Sequence, residues 1–515
     1  MSESLPNGWH QLTAGELADI KSGITLGKRY PADTALVERP YLRVANVQRG
    51  HLDLREIKRV RVTAEEAARL TLEPGDVLMN EGGDRDKLGR GWIWNGEIAD
   101  CIHQNHVFRL RPRQGLILPV FFSLYANHAG QVYFENEGKQ TTNLASISQR
   151  KLAAFPVPVP PLAEQRRIVA RIEALFDAIR DARKDLDRTL VLAERFRNTL
   201  VAAAISGELT SDRSGSGTSA EESGVFMDRL ASERRQLWEQ SELARAAAKG
   251  RRLKDNWKDR FPSPVRPVEH YVDSLPAGWT LASLDQLAWA ASYGTSEKCD
   301  PAASGSPVLR IPNVAQGTID LSDLKFATGD LGLVPGEAVA PGDLLIVRTN
   351  GSPDLVGRGA IVRQPLERDV YFASYLIRFR LTGNDTLWRW IALVWHSHMV
   401  RDQVFAKAAS SAGQYNVSMT ELASFALPIP PEAEQVLLVN LVEARLKVAD
   451  EMERQARASH DLLSRLERQI LDAAFRGDLV PQDAADEPAE ETLARLRQEA
   501  EAPVSPGGRQ RRRAA

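Results

Sequence analysis

The chain has 515 residues, is 43% hydrophobic and 26% charged, and carries a formal net charge of −2. This length predicts several domains, and the near-neutral charge argues against a small, uniformly basic nucleic-acid-binding protein, although it leaves room for local basic faces. The sequence contains no run of eighteen apolar residues and no secretory signal pattern at its start, so we expect a cytoplasmic protein without a membrane span. Its two cysteines, Cys101 and Cys299, could pair with each other but are too few for a disulfide framework or a CxxC metal site.

An internal repeat organises the sequence. Leu5-Pro-Asn-Gly-Trp9 opens the first copy, and Leu275-Pro-Ala-Gly-Trp279 opens the second one 270 residues later. Turn-then-strand signals follow in the same order in both copies, at Leu42-Arg-Val-Ala-Asn-Val47 and Pro74-Gly-Asp-Val-Leu78, and at Leu309-Arg-Ile-Pro-Asn-Val314 and Pro341-Gly-Asp-Leu-Leu345. Because many separate matches keep one order, the sequence predicts two related α+β domains of about 150 residues each.

Each copy leads into a proline-rich stretch. Phe155-Pro-Val-Pro-Val-Pro-Pro-Leu-Ala-Glu-Gln165 and Phe425-Ala-Leu-Pro-Ile-Pro-Pro-Glu-Ala-Glu-Gln435 share seven of eleven residues. Proline fixes its own φ and keeps the preceding residue out of the helical region, so each stretch should be extended. The double proline followed by acidic residues is typical of a helix start. The sequence therefore predicts a strand that runs directly into a helix, twice.

Two long helices follow these starts. Apolar residues recur at steps of three and four from Ile168 to Leu200, through Phe196, and from Leu438 to Ile470, through Met452 and Leu466. This is coiled-coil spacing, and the first helix, from Pro161 to about Ala204, would be roughly 60–65 Å long. Glycines after the helices, Gly207 and Gly477, are suited to a left-handed C-terminal cap. We expect the two helices to pair antiparallel, whereas two separate homodimerising coiled coils are the alternative.

The predicted fold class is therefore α+β, with two repeated domains, each followed by a long α-helix, and with the two helices packed as an antiparallel coiled-coil spacer. An additional polar helix is expected from about Val225 to Asn256, with a basic run near its end that either contacts DNA or is simply solvated. The predicted boundaries are 1–155 for the first domain, 156–210 for the first helical spacer, 211–270 for a flexible linker and the polar helix, 271–425 for the second domain, 426–480 for the second helical spacer, and 481–515 for a C-terminal helix and a basic, disordered tail.

The paired proline-rich helix starts, the paired Gly-Glu-Leu209 and Gly-Asp-Leu479 helix ends, and the twin Leu-Pro-x-Gly-Trp openings resemble the specificity subunit of type I restriction–modification enzymes. The resemblance extends from Leu5 to about Arg497. It implies two target recognition domains that each bind one half of a split sequence in double-stranded DNA, with the helices setting the gap. It also implies two methyltransferase subunits docked on the chain and motor–nuclease subunits in the assembly. The segment 211–270 departs from the family pattern.

The same resemblance implies that the chain itself is not an enzyme, and the sequence agrees. It contains no Asn-Pro-Pro-aromatic motif for a flipped adenine and no Gly-x4-Gly-Lys-Ser/Thr phosphate loop. His103 and His106 lie in a strand-like stretch without companion ligands, so we predict no metal site. No cofactor is expected on this chain, while S-adenosylmethionine, ATP and Mg²⁺ are expected on the partner subunits.

The candidate DNA-binding residues lie in three polar loops of the first domain and in two equivalent loops of the second. Base recognition needs paired donors and acceptors, whereas phosphate contacts need only cations, hydroxyls and backbone N–H groups. The candidates in the first domain are Lys28, Arg29, Arg85, Lys87, Arg90, Lys139, Gln140 and Asn143. Those in the second domain are Arg348, Asn350, Ser352, Arg358, Gln414, Tyr415 and Asn416.

Residues that the two halves share are expected to serve structure or phosphate binding, as in Gly89-Arg90-Gly91 with Gly357-Arg358-Gly359, and Asn143 with Asn416. Residues that differ are better candidates for base recognition, because two domains that bind different half-sites must differ somewhere. These are Arg85, Lys87, Lys139 and Gln140 in the first domain, and Arg348, Asn350, Ser352, Gln414 and Tyr415 in the second. For any one of them, a turn residue or a solvated charge explains the sequence equally well.

Two alternative functions remain from the sequence. One is a coiled-coil scaffold that assembles proteins without recognising a DNA sequence. The other is a stand-alone nuclease or methyltransferase that acts on DNA, against which the missing motifs argue.

Overall fold

The computed structural model describes residues 5–83, 87–140, 145–213, 220–268, 275–331, 336–411 and 413–501. It combines α-helices and β-strands and divides into two compact units. Unit 1 comprises Met1–Asp187 and Arg457–Ala515, and unit 2 comprises Arg188–Ala456. In the described part of the chain, none of the helices has the length and apolar character needed to cross a membrane.

The first half of the chain is rich in short strands. Its strands are β1 (His10–Thr13), β2 (Ala18–Ser22), β3 (Leu36–Leu42), β4 (Val47–Gln48), β5 (His51–Leu52), β6 (Lys58–Thr63), β7 (Val77–Asn80), β8 (Gly82–Gly83), β9 (Gly91–Ile93), β10 (Ile102–His103), β11 (Val107–Pro112), β12 (Lys139–Gln140), β13 (Ala145–Ser146) and β14 (Pro156–Val159). Its helices are α1 (Ala14–Leu17), α2 (Ala64–Leu70), α3 (Pro119–His128), α4 (Gly130–Glu137), α5 (Gln149–Ala153), α6 (Leu162–Ile205) and α7 (Ala220–Ala248).

The second half repeats this series. Its strands are β15 (Thr280–Ser283), β16 (Ala288–Tyr293), β17 (Cys299–Asp300), β18 (Pro307–Leu309), β19 (Lys325–Ala327), β20 (Asp343–Val347), β21 (Thr349–Asn350), β22 (Gly359–Ile361), β23 (Tyr371–Phe372), β24 (Leu376–Leu381), β25 (Ala409–Ser411), β26 (Gln414–Asn416) and β27 (Ala426–Ile429). Its helices are α8 (Leu284–Leu287), α9 (Asp385–Trp395), α10 (His398–Lys407), α11 (Met419–Ala423), α12 (Glu432–Arg476) and α13 (Ala489–Glu501).

A four-stranded antiparallel sheet lies in each unit. Its strand order is β2-β11-β7-β9 in unit 1 and β16-β24-β20-β22 in unit 2. Aromatic side chains from the following helices fill the core of each unit, for example Phe121 and Phe134 in unit 1 and Trp390 and Trp395 in unit 2. Burial of such large apolar side chains is the main stabilising contribution to each unit.

The proline-rich stretches form strands, as the sequence predicts. β14 pairs antiparallel with β1, and β27 pairs in the same register with β15. Trp9 Nε1 donates a hydrogen bond to Glu164 Oε2 at 3.1 Å, and Trp279 Nε1 donates to Glu434 Oε2 at 2.9 Å. The tryptophan that opens each domain is thus bound to the first turn of the long helix that follows that domain.

The predicted glycine caps are also confirmed. Gly207 and Gly477 have φ values of +71° and +83°, and the N–H of Asp478 donates to Ala473 O at 2.8 Å, as in a Schellman cap. Both glycines lie against a proline of an opening motif, because a Cβ on Gly207 would be 2.5 Å from Pro276 Cγ and one on Gly477 2.6 Å from Pro6 Cγ. The end of α6 therefore contacts the second opening motif, within unit 2. The end of α12 contacts the first opening motif, within unit 1.

Segments of α6 and α12 contact each other inside each unit. In unit 1, Arg183 Nη1 lies 2.8 Å from Glu467 Oε1, and His460 Nε2 lies 3.1 Å from Asp187 Oδ1. In unit 2, Arg197 Nη2 lies 2.9 Å from Glu453 Oε2, and Thr210 beyond the end of α6 binds Glu434 at the start of α12. Residue numbers rise along one helix as they fall along the other, so the paired segments are antiparallel within each unit.

The apolar stripe predicted along these helices is only partly buried. Ile172 and Ala193 are buried, but Phe196, Met452 and Leu466 are 45%, 46% and 41% exposed. Their assignment to the buried stripe is therefore wrong. In a straight α-helix, positions that repeat every 3.5 residues rotate about the helix axis by about 20° per heptad. Apolar residues that continue the heptad pattern therefore turn away from the neighbouring helix.

The polar helix is displaced from its expected position. α7 begins at Ala220 and ends at Ala248, because Gly250 adopts a φ of +57° and the N–H of Arg251 donates to Ala246 O at 2.8 Å. It also buries part of its surface in unit 2, where Arg234 is 4% exposed and its Nε donates to Ala288 O at 2.8 Å. The basic tail, including Arg509, lies outside the described residues.

Candidate nucleic-acid interface

A small three-stranded sheet in each unit brings two of the candidate loops together. In unit 1 the strand order is β12-β13-β8, which joins the loop after β7 to the loop around Lys139 and Gln140. In unit 2 the order is β21-β26-β25, which joins the segment after Arg348 to the hairpin that carries Gln414–Asn416. Loops about 60 residues apart in the chain thereby share one surface in each unit.

Matching backbone hydrogen bonds align the two small sheets. The N–H of Ile147 donates to Glu81 O at 2.9 Å, and the N–H of Val417 donates to Arg348 O at 2.9 Å. The N–H groups of Glu81 and Arg348 in turn donate to His106 O at 3.0 Å and to Tyr375 O at 2.9 Å. Glu81 and Arg348 are therefore structurally equivalent positions with opposite charges.

Sequence reasoning missed Glu81 as a site residue, although a signal for it was present. Pro74-Gly-Asp-Val-Leu78 and Pro341-Gly-Asp-Leu-Leu345 are 267 residues apart, and that offset places Glu81 opposite Arg348. The carboxylate oxygen Oε2 of Glu81 lies 2.8 Å from His106 Nδ1, and both side chains are partly exposed.

Several candidates of unit 2 lie on this surface. Arg348 Nε donates to Asn416 Oδ1 at 3.3 Å, and the Oδ1 atom of Asn350 accepts a hydrogen bond from the N–H of Ser352 at 2.8 Å. Asn350 also lies opposite Tyr415 in the sheet, while Gln414 is exposed on the neighbouring hairpin. The structure thus groups Asn350, Gln414, Tyr415 and Asn416 in one small sheet, with Arg348 directly before its first strand and Ser352 shortly after that strand.

The candidates of unit 1 are described less completely. Lys139 and Gln140 form β12 and pair with Ser146 and Ala145, but their side chains are not described. Arg85 and Asn143 lie outside the described residues. Lys87 and Arg90 are half-buried in the connection between β8 and β9.

Lys28 and Arg29 are not part of this small sheet. They lie in the exposed connection after β2, where the Lys28 ammonium forms an ion pair with Glu66 of α2. Hydrogen bonds from Lys28 and then from Tyr30 lower the pKa of Glu66 to about 2. Burial and the neighbouring carboxylate raise the pKa of Tyr30 to about 12. Lys28 is therefore held by a carboxylate that stays ionised at neutral pH.

The shared Gly-Arg-Gly segments are closely packed. A Cβ on Gly89 would lie 2.1 Å from Phe134 Cδ2, and one on Gly357 would lie 2.4 Å from Val404 Cγ2. Between the second pair of glycines, Arg358 is exposed and its Nε donates to Asp354 O at 2.8 Å. These glycines serve packing, which agrees with a structural role for residues that the two halves share.

The structure changes one correspondence between the halves. Asn143 was expected to match Asn416, but Asn416 pairs with Thr349 at the position where Ser146 pairs with Gly82. The counterpart of Asn416 in this small sheet is therefore Ser146. The sequences around Asn143 and Asn416 differ in the length of the connection before the central strand. Aligning the two asparagines by residue type therefore does not match positions in the sheet.

The two histidines considered as metal ligands lie in different environments. His103 is fully buried, its Nδ1 lies 2.7 Å from Val107 O, and burial lowers its pKa to about 4. His106 is exposed next to Glu81. Within the described residues, no group of three or more His, Cys, Asp or Glu side chains is arranged to hold a metal ion.

Comparison with known families gives a match over the first part of the chain. Residues 6–186 match the type I restriction modification DNA specificity domain. The matched segment covers the first α+β domain and α6 as far as residue 186.

Known proteins match over almost the whole chain. The chain is 23% identical over 501 residues to the type I restriction enzyme EcoKI specificity subunit of Escherichia coli K12, covering 94% of this chain and 92% of that protein. It is 22% identical over 493 residues to the StySPI specificity subunit of Salmonella potsdam, with the same coverage of 94% and 92%.

Solved structures share the fold. A chain from a study of complex assembly and conformational transition of the type I R-M system matches with a TM-score of 0.61 at 18% identity, over 93% of this chain and all of that chain. The HsdS subunit from Thermoanaerobacter tengcongensis matches with a TM-score of 0.51 at 19% identity, over 93% of this chain and 99% of that chain.

Proposed function

We propose that this chain, which belongs to the family of type I restriction–modification specificity subunits, recognises a split DNA sequence on behalf of a methyltransferase and nuclease complex. The observation that carries the proposal is the pair of equivalent small sheets whose strands are built from different residues. Two similar scaffolds that present different donors and acceptors are suited to two different half-sites.

Each α+β domain is proposed to bind one half-site. Residues 1–155 and 271–425 act as the target recognition domains, with the small sheet of each facing the bases. Arg85, Lys87, Arg90, Lys139, Gln140 and Asn143 remain proposed contacts of the first domain, and Lys28 and Arg29 are proposed as phosphate contacts beside it. In the second domain the proposed contacts are Arg348, Asn350, Ser352, Arg358, Gln414, Tyr415 and Asn416.

The long helices are proposed to form an antiparallel coiled-coil spacer that sets the gap between the half-sites. The ion pairs Arg183–Glu467 and Arg197–Glu453, each within one unit, support this arrangement. Residues 156–210 and 426–480 form the spacer in this proposal. The segment 211–270 adds a helix against the second domain, and residues 481–515 add a helix against the first.

The same helices are proposed to dock two methyltransferase subunits, with motor–nuclease subunits joining the assembly. Leu192 and Phe196 on α6, and Val448 and Met452 on α12, are spaced four residues apart and are all at least 45% exposed. Exposed apolar side chains at such spacing indicate a surface suited to a protein partner. S-adenosylmethionine is assigned to the methyltransferase subunits, and ATP with Mg²⁺ to the motor–nuclease subunits.

The proposal is tested by selecting bound DNA from a random pool with the chain purified together with its methyltransferase partner. We expect enrichment of one split motif at moderate salt, since non-specific binding is mostly phosphate electrostatics and weakens as salt rises. A complex that forms normally but enriches no motif would contradict the proposal and favour the scaffold. Methyl transfer or cleavage by the purified chain alone would instead favour the stand-alone enzyme.

A further inference from the structure

Glu81 and Arg348 occupy the same place in the two units, directly after the strands β7 and β20. Both positions link the four-stranded sheet to the small three-stranded sheet through the same backbone hydrogen bonds. One unit therefore presents a carboxylate, and the other presents a guanidinium, at an equivalent point of the proposed DNA-binding surface. This difference reverses the charge at one point beside the two small sheets.

The Arg348 side chain is held on two sides. Its guanidinium carbon lies 4.8 Å from the centroid of the Tyr293 ring, and its Nε donates to Asn416 Oδ1 at 3.3 Å. Tyr293 itself is 45% exposed, so this stack is at the surface. Among the residues that the structure describes, none accepts a hydrogen bond from Nη1 or Nη2 of Arg348. The two terminal nitrogens thus form an oriented pair of donors that no described residue occupies.

We propose that Arg348 recognises a guanine in the half-site bound by unit 2, with Tyr293 and Asn416 as its positioning residues. Guanine presents two acceptors, O6 and N7, on its major-groove edge, and they match two parallel N–H groups of a guanidinium. A guanidinium already fixed by a ring and an amide loses less side-chain freedom on binding than a free one. This inference rests on the proposed function and adds the base and the residue that reads it.

Glu81 provides the contrast in unit 1. A carboxylate has no proton to donate to guanine O6 or N7 at neutral pH, whereas it accepts a hydrogen bond from an exocyclic amino group such as N4 of cytosine. The nearby His106 lies 2.8 Å away and belongs to the same surface. The two half-sites are therefore expected to differ in the base that faces this position.

The test compares variants in the random-pool selection, using the chain with its methyltransferase partner. Arg348→Gln is expected to reduce the preference for one guanine by about 5- to 150-fold while the other half-site stays unchanged. Arg348→Lys keeps the positive charge but lacks the two parallel N–H donors of the guanidinium, so it should also lose the preference for guanine. Its overall affinity for DNA at low salt should be largely retained, because that affinity depends mainly on charge. Arg368→Gln is the matched control, because Arg368 stacks on Phe326 at 5.5 Å in the same unit.

The positioning role of Tyr293 is tested in the same experiment. Tyr293→Ala should weaken the preference for that guanine, and Tyr293→Phe should restore it, because only the ring face is required. Retention of the other base preferences within the half-site of unit 2 shows that this unit is folded in each variant.

The outcomes separate this inference from the proposed function. If the unaltered complex enriches no motif, the proposed function is wrong. If it enriches a motif without guanine, or if Arg348→Gln keeps the guanine preference, the assignment of Arg348 is overturned while sequence recognition stands.

Discussion

At the scale of single residues, the Glu66 carboxylate fixes the position of the Lys28 ammonium group. The Glu66 side chain is only 12% exposed and binds the Lys28 ammonium, the Tyr30 hydroxyl at 2.7 Å and the N–H of Thr63 at 3.1 Å. These donors favour the ionised carboxylate, so the pKa of Glu66 is lowered from 4.5 to about 2. The ion pair therefore links a proposed phosphate contact to the stability of unit 1.

The first prediction concerns the pH dependence of this contribution. A carboxyl group whose pKa is lower in the folded state stabilises the fold fully above its unfolded pKa, and this contribution is lost as the pH falls through the folded value. The difference in free energy of unfolding between the unaltered chain and Glu66→Gln should thus be constant at neutral pH and shrink between about pH 4.5 and about pH 2. Urea unfolding across this range measures it, with the exposed Glu65→Gln as control. An unchanged difference at about pH 3 would contradict this explanation.

At the scale of elements, the glycines after the long helices join two repeated motifs. The left-handed backbone of Gly477 ends α12, and the absence of a side chain lets Pro6 approach. Gly207 does the same for α6 and Pro276. This explains why the sequence repeats both the helix ends and the Leu-Pro-x-Gly-Trp openings, because each end packs against an opening.

The second prediction separates the two requirements at Gly477. Gly477→Ala should destabilise the chain by about 2–4 kcal/mol, because it adds a contact with Pro6 to the strain of a positive φ. Gly50→Ala is the control, since Gly50 has a φ of +77° and the described residues leave open space around it. This control should lose only about 1–2 kcal/mol. Equal losses for both variants, measured by urea unfolding, would show that the contact with Pro6 does not matter.

Local rules made many of these elements predictable. The strands β14 and β27, the helix starts after them and the glycine caps depend on proline and glycine geometry within a few residues. The repeat added the expectation that both halves share one fold. Short-range signals therefore identified which elements exist, and the repeat supplied their order.

Contacts between distant residues were not predictable in this way. Leu42-Arg-Val-Ala-Asn-Val47 has the apolar content of a strand, yet β3 ends at Leu42 because the buried Asn46 closes a loop. Its Oδ1 accepts a hydrogen bond from the N–H of Arg43 at 2.9 Å, and its Nδ2 donates one to Asp53 O at 2.8 Å. The grouping of Arg348 with Asn416 likewise depends on strand pairing across 68 residues. Sequence reasoning selected the loops, but the pairing of β21 with β26 decides which of their residues meet.

At the scale of the whole molecule, the spacer proposal makes a quantitative prediction. A heptad inserted at matched points, between Asp187 and Arg188 in α6 and between Ala456 and Arg457 in α12, lies at the boundaries of the two units. It should lengthen the gap between the half-sites by about 3 base pairs, because a heptad adds about 10 Å and a base pair spans about 3.4 Å. The selected motif reports the gap directly.

A heptad inserted into α6 alone is the control for this prediction. It would shift the register of α6 relative to α12, so we expect it to abolish recognition of the split motif. Retained recognition with an unchanged gap after the matched insertion would contradict the role of the helices as a spacer.

The central claim is that this one chain supplies sequence recognition to a DNA methyltransferase. Single-molecule methylation sequencing tests it most directly, by comparing DNA from cells that contain the chain and its methyltransferase partner with DNA from cells that lack only the chain. We predict a split adenine-methylated motif that disappears when the chain is removed. An unchanged methylation pattern in cells with an active, well-expressed system would contradict the claim.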